Sequence, residues 1–393
     1  MANLLVICGY WPTRANPISG IFFAEQACAL SQLGHSVTVL VPKGFWKRSE
    51  ILSLQELGLP PETVNIASFR APRFPGALSG LPGAFWVNNL SIGRSIAREI
   101  YALAQKSNKF DGCIAHGLRH ISFSAPVWAP VLNAPVLCMV HGVDPILHRQ
   151  GARVKTASLK AEAAIHGVGV VGKFLIDHVE KLGFNCARVK TLSNGTELPI
   201  ADMLSAPLDR IENRKRVIVS VANLIDVKGI NDALEALAMV STNGMRNWEY
   251  RIVGDGPERN RLQALAKRLG IDNKIVFLGR LLRSETLREI DRCDLFCLPS
   301  WGEAFGIVYL EAMARARPVI GCTNCGPADF VTSGKDGILV PPHSPAELAA
   351  SISLLWQDPQ KLRDIALAGR ETALHYSWRR NAQQVLDCLE IAQ

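Results

Sequence analysis

Short apolar runs alternate with stretches in which apolar residues recur at helical spacing, and the rhythm holds in both halves of the chain. It predicts parallel strands covered by helices, an α/β fold. In the first half Leu4 to Cys8 reads as a strand, Ile21 to Leu33 as a helix stopped at Gly34, and Ser36 to Val41 as the next strand. Cys113 to His116 and Val136 to His141 read as buried strands, each delivering a histidine at the carboxyl edge, where open parallel sheets bind ligands. Between them, Ala125 to Val143 is the most apolar longer stretch. Its three prolines and Asn133 argue against a membrane-spanning helix and for a loop feeding a strand. The rhythm lapses in PIADMLSAPLDRIENRKR and restarts with strands at Val217 to Val221, Trp248 to Val253, Ile275 to Leu278 and Leu295 to Leu298. Helices Ile230 to Val240 and Pro257 to Leu269 separate them, and the tail from Leu362 to Ile391 is mostly helical. Two Rossmann-like domains are therefore expected at 1–200 and 217–370, with a linker at 201–216 and a C-terminal helix at 371–393.

Composition narrows the function classes. Of 393 residues 48% are hydrophobic and 20% charged, as in a soluble globular protein, and the net charge of +8 suits anionic ligands or an anionic membrane surface. No long Lys/Arg run with interleaved aromatics occurs, which speaks against nucleic acid. Ten cysteines are scattered through predicted strands and helices, fitting reduced thiols and a cytoplasmic setting better than a disulfide framework. Cys322 and Cys325 have C-x-x-C spacing, but no matching pair exists to complete a zinc site. The first residues, MANLLVICGYWPTR, read as a strand rather than a leader.

The densest chemistry lies in PSWGEAFGIVYLEAMARARPVIG, residues 299–321. Glu303 falls in the turn after a strand and Glu311 eight positions later inside a helix that begins near Gly306. The first helical amides have no intrahelical acceptor and can receive a phosphate, while a carboxylate on either side can accept hydroxyls of a sugar. A helix acid and a solvated loop acid would give the same spacing. Further glycine turns precede helices at Gly254-Asp255-Gly256, at Lys228-Gly229 and at Gly20, sites where backbone or a point charge could approach a ligand, or where a chain simply turns. His141, followed by Gly-Val-Asp144, stands at a sheet edge and could donate to a sugar hydroxyl; His116 stands at the end of the neighbouring run, on the side where an acceptor could enter, and satisfied burial is the alternative for both.

In their order these pieces are more specific than any one of them. The Pro-x-x-Gly-Ile-Phe opening, MVHGVD, SNG at 193–195, KG at 228–229, VGDGP, FLGR at 277–280, the E-x7-E pair and PVIG at 318–321 span nearly the whole chain. It resembles the retaining glycosyltransferases of the GT4 family, whose GT-B architecture sets two doubly wound Rossmann-like domains facing across a cleft. The resemblance implies a first, acceptor domain and a second, donor domain, with the C-terminal helix at 371–393 crossing back to the first. It implies transfer of a sugar from a UDP- or GDP-sugar, with anomeric configuration kept and no obligatory metal or cofactor, to a lipid-linked or glycan acceptor in cell-surface glycan biosynthesis. Glu311 would bind the ribose and Glu303 the donor sugar, while Lys228 and the Phe305 and Gly306 amides would hold the diphosphate. Gly20 would let it approach the first domain, the backbone near Leu281 would meet the base, and His141 would touch the sugar near the reacting carbon. The chain departs from the pattern at Asn223, where an arginine is usual and for which Arg280 is a candidate substitute, and at Cys325-Gly326, where a glycine pair is usual.

Competing readings are a sugar-nucleotide epimerase of the same architecture, a non-catalytic sugar-nucleotide binder, and a dinucleotide-dependent oxidoreductase. Against the last, VICGYWPTR lacks G-x-G-x-x-G after the first strand. On the acceptor side, Lys43, Trp46, Lys47 and Arg48 precede the pattern Ile51, Leu52, Leu54, Leu57, which predicts an amphipathic helix able to rest on anionic lipid at the cytoplasmic face of a membrane, or simply on water.

Overall fold

The computed structural model describes all residues except 45–49, 61–63, 72–82, 107–108, 145–146, 148–150, 200–214 and 392–393. The chain divides into two compact units: Met1–Asn194 with Trp378–Gln393, and Gly195–Ser377.

The first unit is built on seven parallel strands, β1 (Asn3–Cys8), β2 (Ser36–Gly44), β3 (Val64–Ala71), β4 (Gly112–His116), β5 (Val136–Val140), β6 (Gly167–Val170) and β7 (Val189–Thr191), in the order β3-β2-β1-β4-β5-β6-β7. β4 and β5 are buried along their whole length and β1 along all but its first residue, as continuous apolar runs in a sheet covered on both faces must be. Helices α1 (Ile21–Gln32), α2 (Ala84–Ala104), α3 (Ala125–Leu132), α4 (Ala152–Glu162) and α5 (Phe174–Lys181) lie between the strands in sequence. α3 replaces the expected loop. Pro126 falls in its first turn, where a missing N–H costs no helical bond, Pro130 stands at an exposed position, and Asn133 ends the helix in the left-handed region. The expected amphipathic helix after Lys43 is also absent: 54–58 is a turn, with Ser53 and Glu56 closing on each other and Gly58 and Pro60 stopping further winding. Leu52 and Leu54 are buried there, and Leu52 O accepts from the Trp11 indole at 2.9 Å. Lys43 itself belongs to β2, while Trp46, Lys47 and Arg48 lie outside the described residues.

The second unit repeats the plan with six parallel strands, β8 (Arg216–Val221), β9 (Trp248–Val253), β10 (Ile275–Gly279), β11 (Leu295–Cys297), β12 (Val319–Cys322) and β13 (Ile338–Val340), ordered β10-β9-β8-β11-β12-β13. Its helices are α6 (Ile230–Thr242), α7 (Arg259–Arg268), α8 (Arg283–Arg292), α9 (Ile307–Ala314), α10 (Pro345–Gln357) and α11 (Pro359–Leu374). One device recurs in both units. Asp111, just before β4, accepts from Asn3 N at 2.7 Å, and Asp294, just before β11, accepts from Val217 N at 2.7 Å. Each carboxylate thus ties the start of the unit's first strand to its fourth, beside the point where strand order reverses and ligand crevices form.

The boundaries differ from the expected ones. The tail is not one helix over 371–393: α11 ends at Leu374, and α12 (Trp378–Cys388) follows after a break. In the break, Tyr376 packs its ring 5.6 Å from Phe330 and its carbonyl accepts from Thr196 N at 2.8 Å, which fastens this segment and residue 196 to the second unit. α12 belongs to the first unit, where Asn381 accepts from Gln26 of α1 at 2.7 Å and donates to Ser193 O at 2.9 Å. Residues 200–214, most of the expected linker, lie outside the described residues, and Arg216 is already in β8.

Candidate active site

The carboxyl ends of β8 and β11 carry two loops that fit each other closely. Gly229 sits in the left-handed region against the Pro299 carbonyl, leaving no room for a Cβ, and Val227 O accepts from both Ser300 Oγ and Trp301 N at 3.0 Å. This interlock brings Lys228 Nζ to 2.6 Å from Glu303 Oε2, both side chains about one-sixth exposed at 16% and 17%. Glu303 is followed by Phe305, buried against Phe330, and by Gly306, whose φ of 88° starts α9. A Cβ on Gly306 would meet the Tyr309 ring at 2.6 Å and Glu303 Cγ at 3.1 Å, so only glycine fits the turn. Among the described residues neither the Phe305 nor the Gly306 amide has a hydrogen-bond acceptor, and both stand at the positive end of α9.

One turn into α9, Glu311 is buried and Oε1 accepts from Arg283 Nη1 of α8; Arg283 Nη2 stands 3.9 Å from Glu197 Oε2. Leu281 lies two residues before Arg283, half-buried, on the loop that leaves β10 through left-handed Gly279; Gly279 O accepts from Gly254 N at 2.7 Å, joining this loop to the glycine turn after β9. The second unit therefore gathers Lys228, Glu303, Phe305 and Gly306 into one cluster and sets Glu311 on the same short helix.

In the first unit Gly20 opens α1 at φ 82°, with the Tyr10 and Phe23 rings each 3.1 Å from where a Cβ would stand. His116 at the end of β4 and His141 just past β5 meet ring to ring, Nδ1 to Nε2, at 2.8 Å. The Phe23 ring lies 4.6 Å from His116 and the Phe22 ring 4.8 Å from His141. Burial and then the neighbouring His141 hold the His116 pKa well below its ordinary value, and burial takes that of His141 down to about 3. Both rings are neutral at pH 7, so one donates to the other, and the remaining nitrogens, His116 Nε2 and His141 Nδ1, both buried and unpartnered among the described residues, are one donor and one acceptor. The pair lines a cavity of about 580 Å³ with Tyr10, Lys43, Arg119 and Asp144, the last two joined at 3.3 Å.

Residues 209–372 match the family model of glycosyl transferases group 1. The second unit thus carries a glycosyl transferases group 1 domain. Over 347 residues it is 26% identical to the 2-deoxystreptamine glucosyltransferase of Streptomyces kanamyceticus, covering 82% of this chain and 89% of that one. An exopolysaccharide phosphotransferase of Streptomyces coelicolor is 34% identical over 164 residues, which are 41% of this chain and 17% of the relative. The chain spans less than half the length of several such relatives. Among solved structures, the Anabaena protein HepE in complex with UDP and glucose matches with a TM-score of 0.74 at 19% identity, over 99% of this chain and 100% of that one, so the fold is that of GT-B glycosyltransferases.

Two positions where the chain departs from the family pattern can be placed in the structure. Arg280 is exposed and makes no ion pair among the described residues. The arginine that does enter the site is Arg283, which sequence reasoning missed although a cation in a helix's first turn opposes the dipole and signals another partner. Cys325 is buried and directs its thiol to Ser300 O at 3.2 Å and Cys322 O at 3.3 Å, with burial and then Glu303 raising its pKa to about 12. It packs beneath the loop as an inert thiol. The next residue, Gly326, lies against the Phe305 backbone where a Cβ would overlap it, and its N–H donates to Glu303 O at 2.9 Å, so the glycine of the pair that is kept is the one the loop needs.

Proposed function

We propose that this protein is a retaining glycosyltransferase that moves a sugar from a UDP- or GDP-sugar to a hydroxyl of a lipid-linked or polysaccharide acceptor in cell-surface glycan synthesis. The observation that carries this reading is the Lys228–Glu303 couple beside the left-handed Gly306 and its unpaired amides, a cation, an anion acceptor and a hydroxyl acceptor within one turn. UDP and glucose in the HepE complex fit the same ligand class.

In this reading the diphosphate lies on Lys228 and the Phe305 and Gly306 amides. Glu311 accepts the ribose hydroxyls, the Leu281 backbone meets the base, and Glu303 accepts hydroxyls of the sugar. The bond from the anomeric carbon to the leaving phosphate oxygen breaks, the acceptor oxygen joins that carbon on the same face, and the acceptor's proton passes to the departing phosphate. Lys228 and the amides neutralise the leaving charge, so no step calls on a metal. His141, neutral at pH 7, donates to a sugar hydroxyl near the reacting carbon, and His116 stands on the acceptor side.

No helix among the described residues is long and apolar enough to cross a membrane. A peripheral role on the cytoplasmic face draws support from α2, whose exposed stripe runs Val87, Leu90, Arg94, Arg98, Tyr101, apolar at its ends and cationic between; Lys160 of α4 lies 5.3 Å above its Trp86 ring. The test is a thermal-shift panel of UDP-, GDP- and ADP-sugars followed by slow-hydrolysis measurements on each stabilising donor. Stabilisation by a sugar nucleotide with release of free sugar is expected; stabilisation by NAD(P) alone, or binding with neither hydrolysis nor transfer, overturns the proposal.

A further inference from the structure

We infer that Arg283 is a positioning residue for the nucleotide, holding Glu311 so that one carboxylate oxygen is left to receive the ribose; this rests on the donor-site reading above. Three observations converge on it. Glu311 is a buried carboxylate, with its side chain 9% exposed, and Arg283 Nη1 engages only Oε1. Among the described residues Oε2 takes no hydrogen bond and is not one of the buried unpartnered atoms, so it stays accessible to a ligand.

The place of Arg283 at the start of α8 points the same way. It opens α8, where its charge opposes the dipole, and that end is already capped by Glu285, whose carboxylate accepts from Leu282 N at 2.9 Å. A lysine would supply the charge, but only a guanidinium offers a planar fork, and here one arm reaches Glu311 while the other faces Glu197 at 3.9 Å. The fork fixes the Glu311 rotamer across the gap between α8 and α9 and leaves the lone pairs of Oε2 available to two neighbouring hydroxyls.

A group that only braced the fold would affect every nucleotide alike, whereas one that aims Oε2 at the ribose matters only when hydroxyls are there to be met. The experiment measures binding of UDP and GDP, each beside its 2′,3′-dideoxy analogue, to wild type, Arg283→Gln and Arg283→Lys. Wild type should prefer the ribose form of the nucleotide it binds. Arg283→Gln should weaken that form about tenfold while leaving the dideoxy form within about twofold, and Arg283→Lys should fall between. Intact dideoxy binding also reports that the variant is folded. Equal weakening of both forms, or no weakening of either, overturns the inference while leaving the donor reading in place. A wild type that binds neither nucleotide, or does not distinguish the two forms, overturns both.

Discussion

Glu303→Gln should strengthen binding of a bare nucleoside diphosphate while weakening binding of the same nucleotide carrying its sugar. In the free protein Lys228 is held by Glu303 at 2.6 Å, with both side chains about one-sixth exposed. Such a pair lies between exposed ion pairs, worth about 0.2–1 kcal/mol, and fully shielded charged hydrogen bonds, worth roughly 1.5–3 kcal/mol, and about 1 kcal/mol is a fair figure for releasing the lysine. Neutralising Glu303 hands that amount to the diphosphate, a gain of about fivefold in affinity. The sugar-bearing donor gains the same amount and loses a charge-assisted contact to its hydroxyls of roughly 1.5–3 kcal/mol, leaving it about 2- to 30-fold weaker. The ratio of the two dissociation constants should move by about 10- to 150-fold, a quantity insensitive to small losses of folded protein. Titration calorimetry with both ligands on wild type and variant reads it directly. If the variant binds the bare diphosphate more weakly, or if the ratio stays within twofold of wild type, Lys228 and Glu303 do not divide the donor between them.

His141→Ala should lower kcat about a hundredfold while donor affinity stays within about threefold, because the imidazole is assigned to the reacting sugar rather than to the nucleotide; single-turnover and equilibrium measurements separate the two. The histidine pair also sets a pH dependence of stability. His141 falls from 6.5 to about 3 and His116 well below 6.5, so near pH 6 and below the unfolded chain binds protons that the folded one does not. The contribution is complete above about pH 6.5 and is lost as pH falls toward 3, and Tm should decline over that window with a shallower slope in a His116→Asn/His141→Asn variant; parallel slopes would contradict the assignment. On the surface, Arg94→Ala with Arg98→Ala should weaken partition onto phosphatidylserine vesicles at low salt by about thirtyfold, from about 1 kcal/mol per cation. Undetectable partition of wild type, or equal partition of both proteins, removes α2 as a lipid-facing helix.

Parts of the sheets were legible because several strands, such as β4, β5, β11 and β12, are buried along their whole length. Val6, Ile114 and Leu137 leave no polar alternation to confuse, and strands such as Trp248–Val253 need no tertiary partner to be recognised. What escaped was decided by partners distant in sequence. The segment after Lys43 carries helical spacing, yet Leu52 and Leu54 turn inward toward Trp11, 41 residues before the carbonyl its indole seeks. α3 was hidden by prolines that are harmless where they fall. In the site, glycines and acids could be read from spacing because turns and helix starts are local. The histidine couple and Arg283–Glu311 could not, since each joins two elements across 25 and 28 residues. His116 was read singly, and only the fold shows that its nearest polar atom is another imidazole.

Because α12 returns to α1 after the whole of 195–377, the second unit is a nested insertion within the first. A ribosome making this chain finishes the inner unit before the outer one has its last helix, so the later-numbered half is able to mature first. Until Asn381 emerges, Gln26 on α1 lacks its acceptor and the apolar face beneath α12 stands open. Cells that produce it must shelter the unfinished outer shell while the ribosome adds residues 195–377, nearly half of the polypeptide, and a premature stop within α12 would harm the portion made earliest more than the portion made just before the stop.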